Sequence, residues 1–228
     1  MRILFCNIAW MNYYQGIISG KDKPKNGGSY VEEYDDAHEA FNFQSVHLNQ
    51  KDIEYEEGDY CLGFVETKTT NKKERNQLHI EKIEGCNLLR NDPKVEDVLV
   101  IYCAKYPDSF SDETYVVGWY KHATVYRYYE IMPLEFEDGQ AYEQAYNAIA
   151  RKENCTLLPK SKRRNTKLWK VPRKKSGAAY GFGQANVWFA QGEEDCPELK
   201  RFLKRIIDNI EAYDGENWVD CLKDNIDF

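Results

Sequence analysis

Apolar residues in this chain are concentrated in short runs, separated by loops that are rich in Gly, Pro, Asn and Lys. The runs at 2–11, 60–66 and 95–106 contain many β-branched and aromatic residues and are short, which is typical of buried strands. The run at 114–131 is longer, and Gly118 within it indicates a bulge or a close backbone approach. We expect 95–106 and 114–131 to pair as an antiparallel hairpin.

The remaining patterns predict further strands and one clear helix. LHIEKIEG at 78–85 alternates like an amphipathic strand, and GFGQANVWFA at 181–190 reads as an apolar strand entered through two glycines. Residues 138–155 fit either a short helix or a returning strand. From Pro197 onward an apolar stripe at helical spacing predicts a C-terminal helix, with Asp195 as its cap. The stripe consists of Leu199, Phe202, Leu203, Ile206, Ile210 and Tyr213.

Many strands and few helices predict an α+β fold. We expect a single domain over residues 1–213, built on a strongly curved or barrel-like antiparallel sheet with the C-terminal helix packed on it. Residues 214–228 are acidic and are expected to form a loosely packed tail or a second short helix. A chain of 228 residues is long enough to bury a stable core without disulfide or metal cross-links.

The composition is that of a globular protein, with 42% hydrophobic and 30% charged residues, which excludes wholesale disorder. No stretch approaches the roughly 18 apolar residues of a membrane span, and the start lacks a small-residue cleavage site. We therefore expect a cytoplasmic protein without membrane contact. Seven scattered cysteines without a CxxC pair argue against a disulfide framework or a zinc site. Phosphate-binding and dinucleotide-binding motifs are absent, so no cofactor is expected.

The net charge of −7 is distributed unevenly along the chain. From Arg151 to Lys175 there are eleven basic residues and one acid, a local charge of +10, so the remaining 203 residues carry −17. Pro159 and Pro172 exclude one continuous helix here. Such a density of Lys and Arg, interleaved with an aromatic residue and glycine, favours contacts with nucleic acid phosphates. The alternative is a solvated loop or a partner for the acidic face. The candidate backbone contacts are Lys160, Lys162, Arg163, Arg164, Lys167, Lys170, Arg173, Lys174 and Lys175.

Aromatic residues make up 14% of the chain, more than a core of this size requires. Such rings can stack on an unpaired or extruded base. Near them, AHEAFNF places His38 and Asn42 on one face if it is helical, and with Glu39 they supply donors and acceptors for a base edge. The alternatives are aromatic core packing and a buried cluster that fixes the first loop. The candidate base pocket is Trp10, His38, Glu39, Asn42, Phe43, Trp119, Tyr120 and Trp188.

An enzymatic hypothesis rests on Glu66-Thr67-Lys68, which follows Asp52 and Asp59. This spacing fits a loose Asp…Glu-x-Lys pattern of magnesium-dependent nucleases, in which Asp59 and Glu66 would hold the cation and Lys68 would polarise the attacking water. The acid-to-Glu spacing is short, and a chain with 38 acidic residues matches this pattern readily by chance. The pattern therefore stays an alternative.

Five segments carry a resemblance: ILFCNIAWMNYYQG, NGGSYVEE, AHEAFNF, VVGWYKHATVYR and GFGQANVWFA. Over residues 1–212 they resemble a bacterial family of sensor domains that occurs fused to nuclease domains, HNH-type among them, in restriction-like proteins. VLVIYCAKY followed by YVVGWYKHATVYR is also similar to the central hairpin of the PUA-like superfamily, which includes EVE and YTH domains. The resemblance implies recognition of a modified or extruded base in DNA, with Trp10, Trp119, Tyr120 and Trp188 in the pocket. The chain departs from the fused family members, because after the C-terminal helix it leaves no room for a nuclease domain. We therefore expect either a reader that acts through a partner or a separated module of a larger defence system.

Together the patterns favour a non-catalytic DNA-binding module that senses modified bases in bacterial restriction or anti-phage defence. DNA is favoured over RNA, and a nuclease is the candidate protein partner. Two alternatives stay open: a magnesium-dependent nuclease, and a protein-interaction or regulatory domain whose basic segment docks on an acidic partner.

Overall fold

The structure, a computed structural model, is dominated by β-strands. It describes residues 1–18, 21–26, 38–49, 55–67, 76–108, 113–135 and 141–222. The strands are β1 (Arg2–Ile8), β2 (Ser45–Leu48), β3 (Gly58–Gly63), β4 (Lys94–Lys105), β5 (Thr114–Glu135), β6 (Ala141–Arg151), β7 (Cys155–Leu157), β8 (Lys170–Val171) and β9 (Val187–Trp188). The α-helices within these ranges are α1 (Lys160–Arg163), α2 (Thr166–Trp169) and α3 (Pro197–Glu211). Short 3-10 helices occupy His38–Phe41, Ile80–Lys82, Lys152–Asn154 and Lys174–Ser176. The predicted α+β class is confirmed.

The strands form one mixed sheet in the order β2-β3-β6-β5-β4-β1-β9, with β7 and β8 also paired to β5. The sheet is curved and open rather than closed into a barrel. β1 runs parallel to β4, from Arg2 opposite Val98 to Ile8 opposite Ala104. The prediction of an entirely antiparallel sheet is therefore wrong at this pair. A strand buried on both faces has a continuous apolar sequence, and that pattern does not reveal the direction of its neighbour.

The predicted central hairpin is confirmed as the β4–β5 pair, which ends with Lys105 opposite Thr114. The ladder shifts register after Tyr102, which lies opposite Gly118. A Cβ atom at Gly118 would collide with the carbonyl oxygen of Thr156 and the ring of Phe43. The glycine is thus required where β7 and an aromatic ring approach β5 closely.

Neighbouring side chains of the sheet alternate between two cores. Tyr120 and Leu4 face one core, whereas Trp119 and Phe5 face the other, which α3 covers. The predicted helical stripe is confirmed, since its members buried in this second core are Leu199, Phe202, Leu203, Ile206 and Ile210. The helix begins at Pro197 with Cys196 at its N-cap position, so the predicted cap at Asp195 is wrong.

Three segments differ from their sequence patterns or resolve an ambiguity. Residues 78–85 form turns and a 3-10 helix instead of a strand, because Ile83 donates its N–H locally to Ile80. The predicted strand at 181–190 is reduced to β9 and an isolated bridge between Phe182 and Arg173, and Gly181 has a left-handed φ of 114°. Within the ambiguous segment at 138–155, the described residues are mainly strand β6.

The C-terminal segment 217–222 packs onto the sheet, in contrast to the expected loose tail. The buried Asp220 carboxylate accepts hydrogen bonds from the backbone N–H of Ser45 at 2.7 Å and from the ammonium of Lys152 at 2.7 Å. The Asn217 side chain pairs with the backbone of β7, and Val219 is buried in the first core. Residues 223–228 lie outside the described ranges.

Candidate nucleic-acid interface

Residues 9–18 and 21–26, which we call the 9–26 loop, form the first wall of a cleft and are held in shape by their own hydrogen bonds. The backbones of Trp10 and Lys25 pair in both directions, at 2.7 and 2.9 Å. The buried Asp22 carboxylate accepts N–H groups from Asn12 and Tyr13 at 2.7 Å each. Burial raises the pKa of Asp22, although these hydrogen bonds oppose the shift. Hydrogen bonds from Trp10, Asn12 and Tyr13 therefore fix the conformation of the 9–26 loop.

Arg163 anchors this wall from below and is fully buried. Its guanidinium donates to the carbonyl oxygens of Leu158, Met11 and Asn12, at 2.7, 2.6 and 2.6 Å. It also lies over the Trp10 ring, with its central carbon 5.6 Å from the ring centroid. Burial lowers its pKa to about 10, so it stays charged at neutral pH. The predicted phosphate contact at Arg163 is therefore wrong, because its guanidinium is buried and donates to backbone carbonyl oxygens.

Tyr106 lines the cleft from a second segment of the chain, and Arg164 stacks on the Tyr106 ring without itself lining the cleft. The Tyr106 ring meets Trp10 edge-to-face at 5.2 Å, and the Arg164 guanidinium lies 4.2 Å from the Tyr106 centroid. The cleft between the walls has a volume of about 280 Å³. Its basic lining residues are Lys21, Lys23, Lys25 and Lys160. The acidic lining residues are the buried Asp22 and the exposed Asp108. The cleft thus combines an excess of cations with aromatic walls.

The basic segment is divided between surface and framework positions. The exposed members of the predicted contact set are Lys160, Lys162, Arg164, Lys167, Lys170, Lys174 and Lys175. Arg173 is half-buried and donates to the side chains of Thr114 and Asn7. Lys170 pairs with Glu113 at 2.7 Å although it is exposed. The segment therefore both braces the domain, as one alternative anticipated, and presents a row of cations to solvent.

The predicted base pocket is not one site in this structure. Phe43 and Tyr120 are fully buried in the first core, with ring centroids 5.6 Å apart. Trp119 is buried in the second core, on the other face of the sheet, where it stacks on Trp169 at 5.5 Å. Trp188 belongs to that same face, half-buried and stacked on Phe5 at 4.7 Å. Only the remaining aromatic member of the set, at position 10, borders the cleft.

The polar group His38, Glu39 and Asn42 fixes local backbone. Asn42 is fully buried, and its side-chain amide pairs with the backbone of Phe64 in both directions, at 3.0 and 2.8 Å. Glu39 accepts the N–H of Ala9 at 3.2 Å. The His38 ring lies 5.0 Å from the Phe64 ring. This geometry matches the alternative of a hydrogen-bonded cluster that fixes the first loop.

The nuclease pattern does not assemble within the described residues. Asp59 lies at the start of β3 and pairs with His47 at 2.8 Å, whereas Glu66 lies beyond the end of that strand, close to Asn186. A strand rises about 3.3 Å per residue, which separates the two carboxylates widely. Lys68 and Asp52 lie outside the described ranges. Across the described part of the chain, no three His, Cys, Asp or Glu side chains form a group that could hold a metal ion.

Sequence reasoning missed Tyr106 and the lysines of the first wall. Tyr106 directly follows β4, so its sequence position is that of a core residue at the end of an apolar strand. The lysines occur at alternate positions in KDKPK, at residues 21–25, which was a usable signal because alternate positions of an extended chain share one side. Their proximity to Lys160 depends on tertiary structure, so no local sequence pattern predicts it.

Comparison with protein-family models, curated proteins and solved structures finds no match for this chain. Within the described ranges, no helix has the length and apolar character required to cross a bilayer.

Proposed function

We propose that this protein is a nucleic-acid-binding module that holds DNA at the cleft between the 9–26 loop and Tyr106, without catalysing a reaction itself. The observation that carries the proposal is that four lysines line a cleft together with Tyr106, on whose ring the exposed Arg164 stacks. Lysines neutralise phosphates whatever the base sequence of the nucleic acid. A planar guanidinium over an aromatic ring offers a surface on which a base can stack.

The charge distribution supports this proposal. The chain has a net charge of −7, so a nucleic acid is repelled by most of the surface and attracted where cations concentrate. Lys160 lines the cleft and is also an exposed member of the basic segment. The cleft and the basic segment therefore share this cation.

The same proposal includes recognition of a modified or extruded base, but at a different place from the pocket that the sequence predicted. The buried rings at positions 43, 119 and 120 leave no room for a base, whereas Tyr106 is half-buried and Arg164 is exposed. We place base contact at Arg164 and Tyr106. The biological setting that we propose, restriction of foreign DNA with a nuclease as partner, is supported by the family resemblance alone.

The test is binding of fluorescent DNA that is unmodified, 5-methylated or 5-hydroxymethylated at cytosine, in single-stranded and duplex form, with and without magnesium. A cleft variant should lose DNA binding. Its substitutions are Lys21→Gln, Lys25→Gln, Lys160→Gln and Arg164→Gln. A control variant removes the same charge elsewhere, through Lys82→Gln, Arg90→Gln, Lys200→Gln and Lys204→Gln. We expect binding by the native protein and the control variant, and weak binding by the cleft variant.

The remaining outcomes separate the alternatives. Magnesium-dependent cleavage on a denaturing gel, abolished by Glu66→Ala, supports the nuclease hypothesis and contradicts a purely binding role. Absence of binding to every DNA at about 0.15 M salt contradicts the proposal and leaves the basic segment as a surface for an acidic protein.

A further inference from the structure

A second concave surface lies beside the cleft, which we call the helix groove. It is bounded by α3 on one side and by residues 166–180 on the other, and its volume is about 490 Å³. Three cations line it: Lys170, Arg201 and Arg205. Glu198 is the acidic lining residue, and it pairs with Arg201 at 2.9 Å. The groove therefore carries a positive excess, like the cleft.

The helix groove also has an aromatic floor. Tyr180 is half-buried, and its ring stacks on Trp188 at 6.3 Å with an interplanar angle of 28°. It meets the Phe202 ring at 5.7 Å. The contacts with Trp188 and Phe202 hold the Tyr180 ring in a fixed orientation. A base can therefore stack on this ring without a large loss of side-chain entropy.

Hydrogen bonds tie the groove rigidly to the basic segment. The Arg205 guanidinium donates to the carbonyl oxygens of Lys167 and Lys170, at 2.8 and 3.1 Å. The Asn209 amide donates to the carbonyl oxygen of Leu168 at 3.1 Å. α3 and α2 are thus joined through side chains as well as through apolar packing, so the two walls of the groove keep their spacing.

The cleft and the helix groove adjoin each other. Arg164 stacks on the cleft wall, and Thr166 lines the groove. Two residues span at most about 7 Å of extended chain, so the backbone of Arg164 lies close to the backbone of Thr166. A flexible polyanion that leaves the cleft past Arg164 reaches the groove directly.

From this juxtaposition we infer that the protein binds single-stranded nucleic acid along a path that runs from the cleft, past Arg164, into the helix groove. The inference rests on the proposed function and specifies the form of its ligand. Each half of the path pairs cations with a partly accessible ring, and only unpaired bases can use such rings, because a duplex hides its base faces. The phosphates would lie on the lysines and on Arg201, and bases on Arg164 and Tyr180.

The test measures binding of fluorescent oligothymidylates of about 4 and about 16 nucleotides, which span the usual range of single-strand site sizes. The variants are Arg201→Gln, an exposed position, and Tyr180→Leu, which keeps an apolar side chain on Trp188. Lys200→Gln is the matched control, because Lys200 is the exposed neighbour that does not line the groove. Thermal unfolding of each variant verifies that it is folded.

We expect the longer strand to bind the native protein more tightly than the shorter strand and than a duplex of equal length. Arg201→Gln and Tyr180→Leu should each reduce this length advantage roughly fivefold or more, whereas Lys200→Gln should preserve it. Normal binding of both strands by the groove variants overturns the path and leaves the proposed function standing, provided that the cleft variant still loses affinity. The proposed path is also overturned if a duplex binds as tightly as the longer single strand, or if polyglutamate competes as well as that strand. Absence of all nucleic acid binding overturns the proposed function together with this inference.

Discussion

Replacing Arg163 by methionine tests whether this residue, within the most basic segment of the chain, is part of the framework. Methionine keeps an unbranched apolar side chain against Trp10 but removes the guanidinium. Three carbonyl oxygens, two of them in the cleft wall at Met11 and Asn12, then lose their donor. The structure therefore predicts a loss of stability that the sequence pattern alone does not.

The expected magnitude follows from these contacts. Each hydrogen bond from a charged donor contributes about 1.5–3 kcal/mol, and a buried acceptor without a partner costs about 1–3 kcal/mol. Removing a buried cation also relieves its desolvation cost, which offsets part of this sum. We expect a net decrease of about 2–4 kcal/mol in the free energy of unfolding for Arg163→Met. Arg163→Lys should lose somewhat less, because an ammonium keeps the charge but lacks the planar fork.

The assay is equilibrium unfolding in urea, monitored by tryptophan fluorescence. Lys162→Met is the matched control, since Lys162 is the exposed neighbour and its substitution should change the free energy of unfolding by less than about 0.5 kcal/mol. Equal, small effects of Arg163→Met and Lys162→Met would refute the reasoning, because Arg163 would then behave as a surface cation. A selective loss at Arg163 would confirm that it braces the cleft wall.

Three further predictions concern the framework, and urea unfolding measures each of them. Gly118→Ala should destabilise by about 1–3 kcal/mol, because its Cβ would overlap β7, whereas Gly183→Ala, where no atom lies within 4 Å of the added Cβ, should have little effect; equal effects would contradict the close approach. Asp220→Ala should decrease the free energy of unfolding by about 2–3 kcal/mol, since the buried backbone N–H of Ser45 and the partly exposed ammonium of Lys152 lose their acceptor. A decrease no larger than that caused by replacing an exposed acid would contradict the packing of the C-terminal segment. Burial raises the pKa of Glu81, but hydrogen bonds from Arg127 and a neighbouring histidine outweigh it and place the pKa below its usual value of 4.5. The stability from ionised Glu81 is therefore present above pH 4.5 and lost as pH falls through the folded-state pKa, and Glu81→Gln should lose less stability over that interval. Identical pH profiles of native protein and Glu81→Gln would contradict this assignment.

The local features of the fold were predictable because short-range patterns determine them. The stripe from Leu199 to Ile210 repeats at helical spacing, and 95–106 and 114–131 are adjacent runs that a hairpin joins. The parallel direction of β1 was not predictable, since its partner begins about ninety residues later and an apolar run has no direction.

The candidate site was predictable only in its charge. The row of exposed lysines and Arg164 lies in the segment that the sequence singled out. The sequence did not show that Arg163 is buried, because its acceptors are carbonyl oxygens that any residue provides. It also did not show that Trp10 and Tyr106 share a cleft, because these residues are far apart along the chain. Aromatic abundance was a misleading guide, since Trp119 and Tyr120 fill the two cores.

The salt dependence of binding to a 16-nucleotide single strand tests the central claim, that the cleft and its adjoining cations hold nucleic acid phosphates. The logarithm of the affinity should fall linearly with the logarithm of salt concentration, with a slope of about −0.7 for each phosphate contact. The cleft variant removes three lysines assigned to phosphates, so it should flatten the slope by up to about 2.1, and the control variant should retain the native slope. An equal slope for native protein and cleft variant would show that the cleft does not contact the phosphates and would contradict the account.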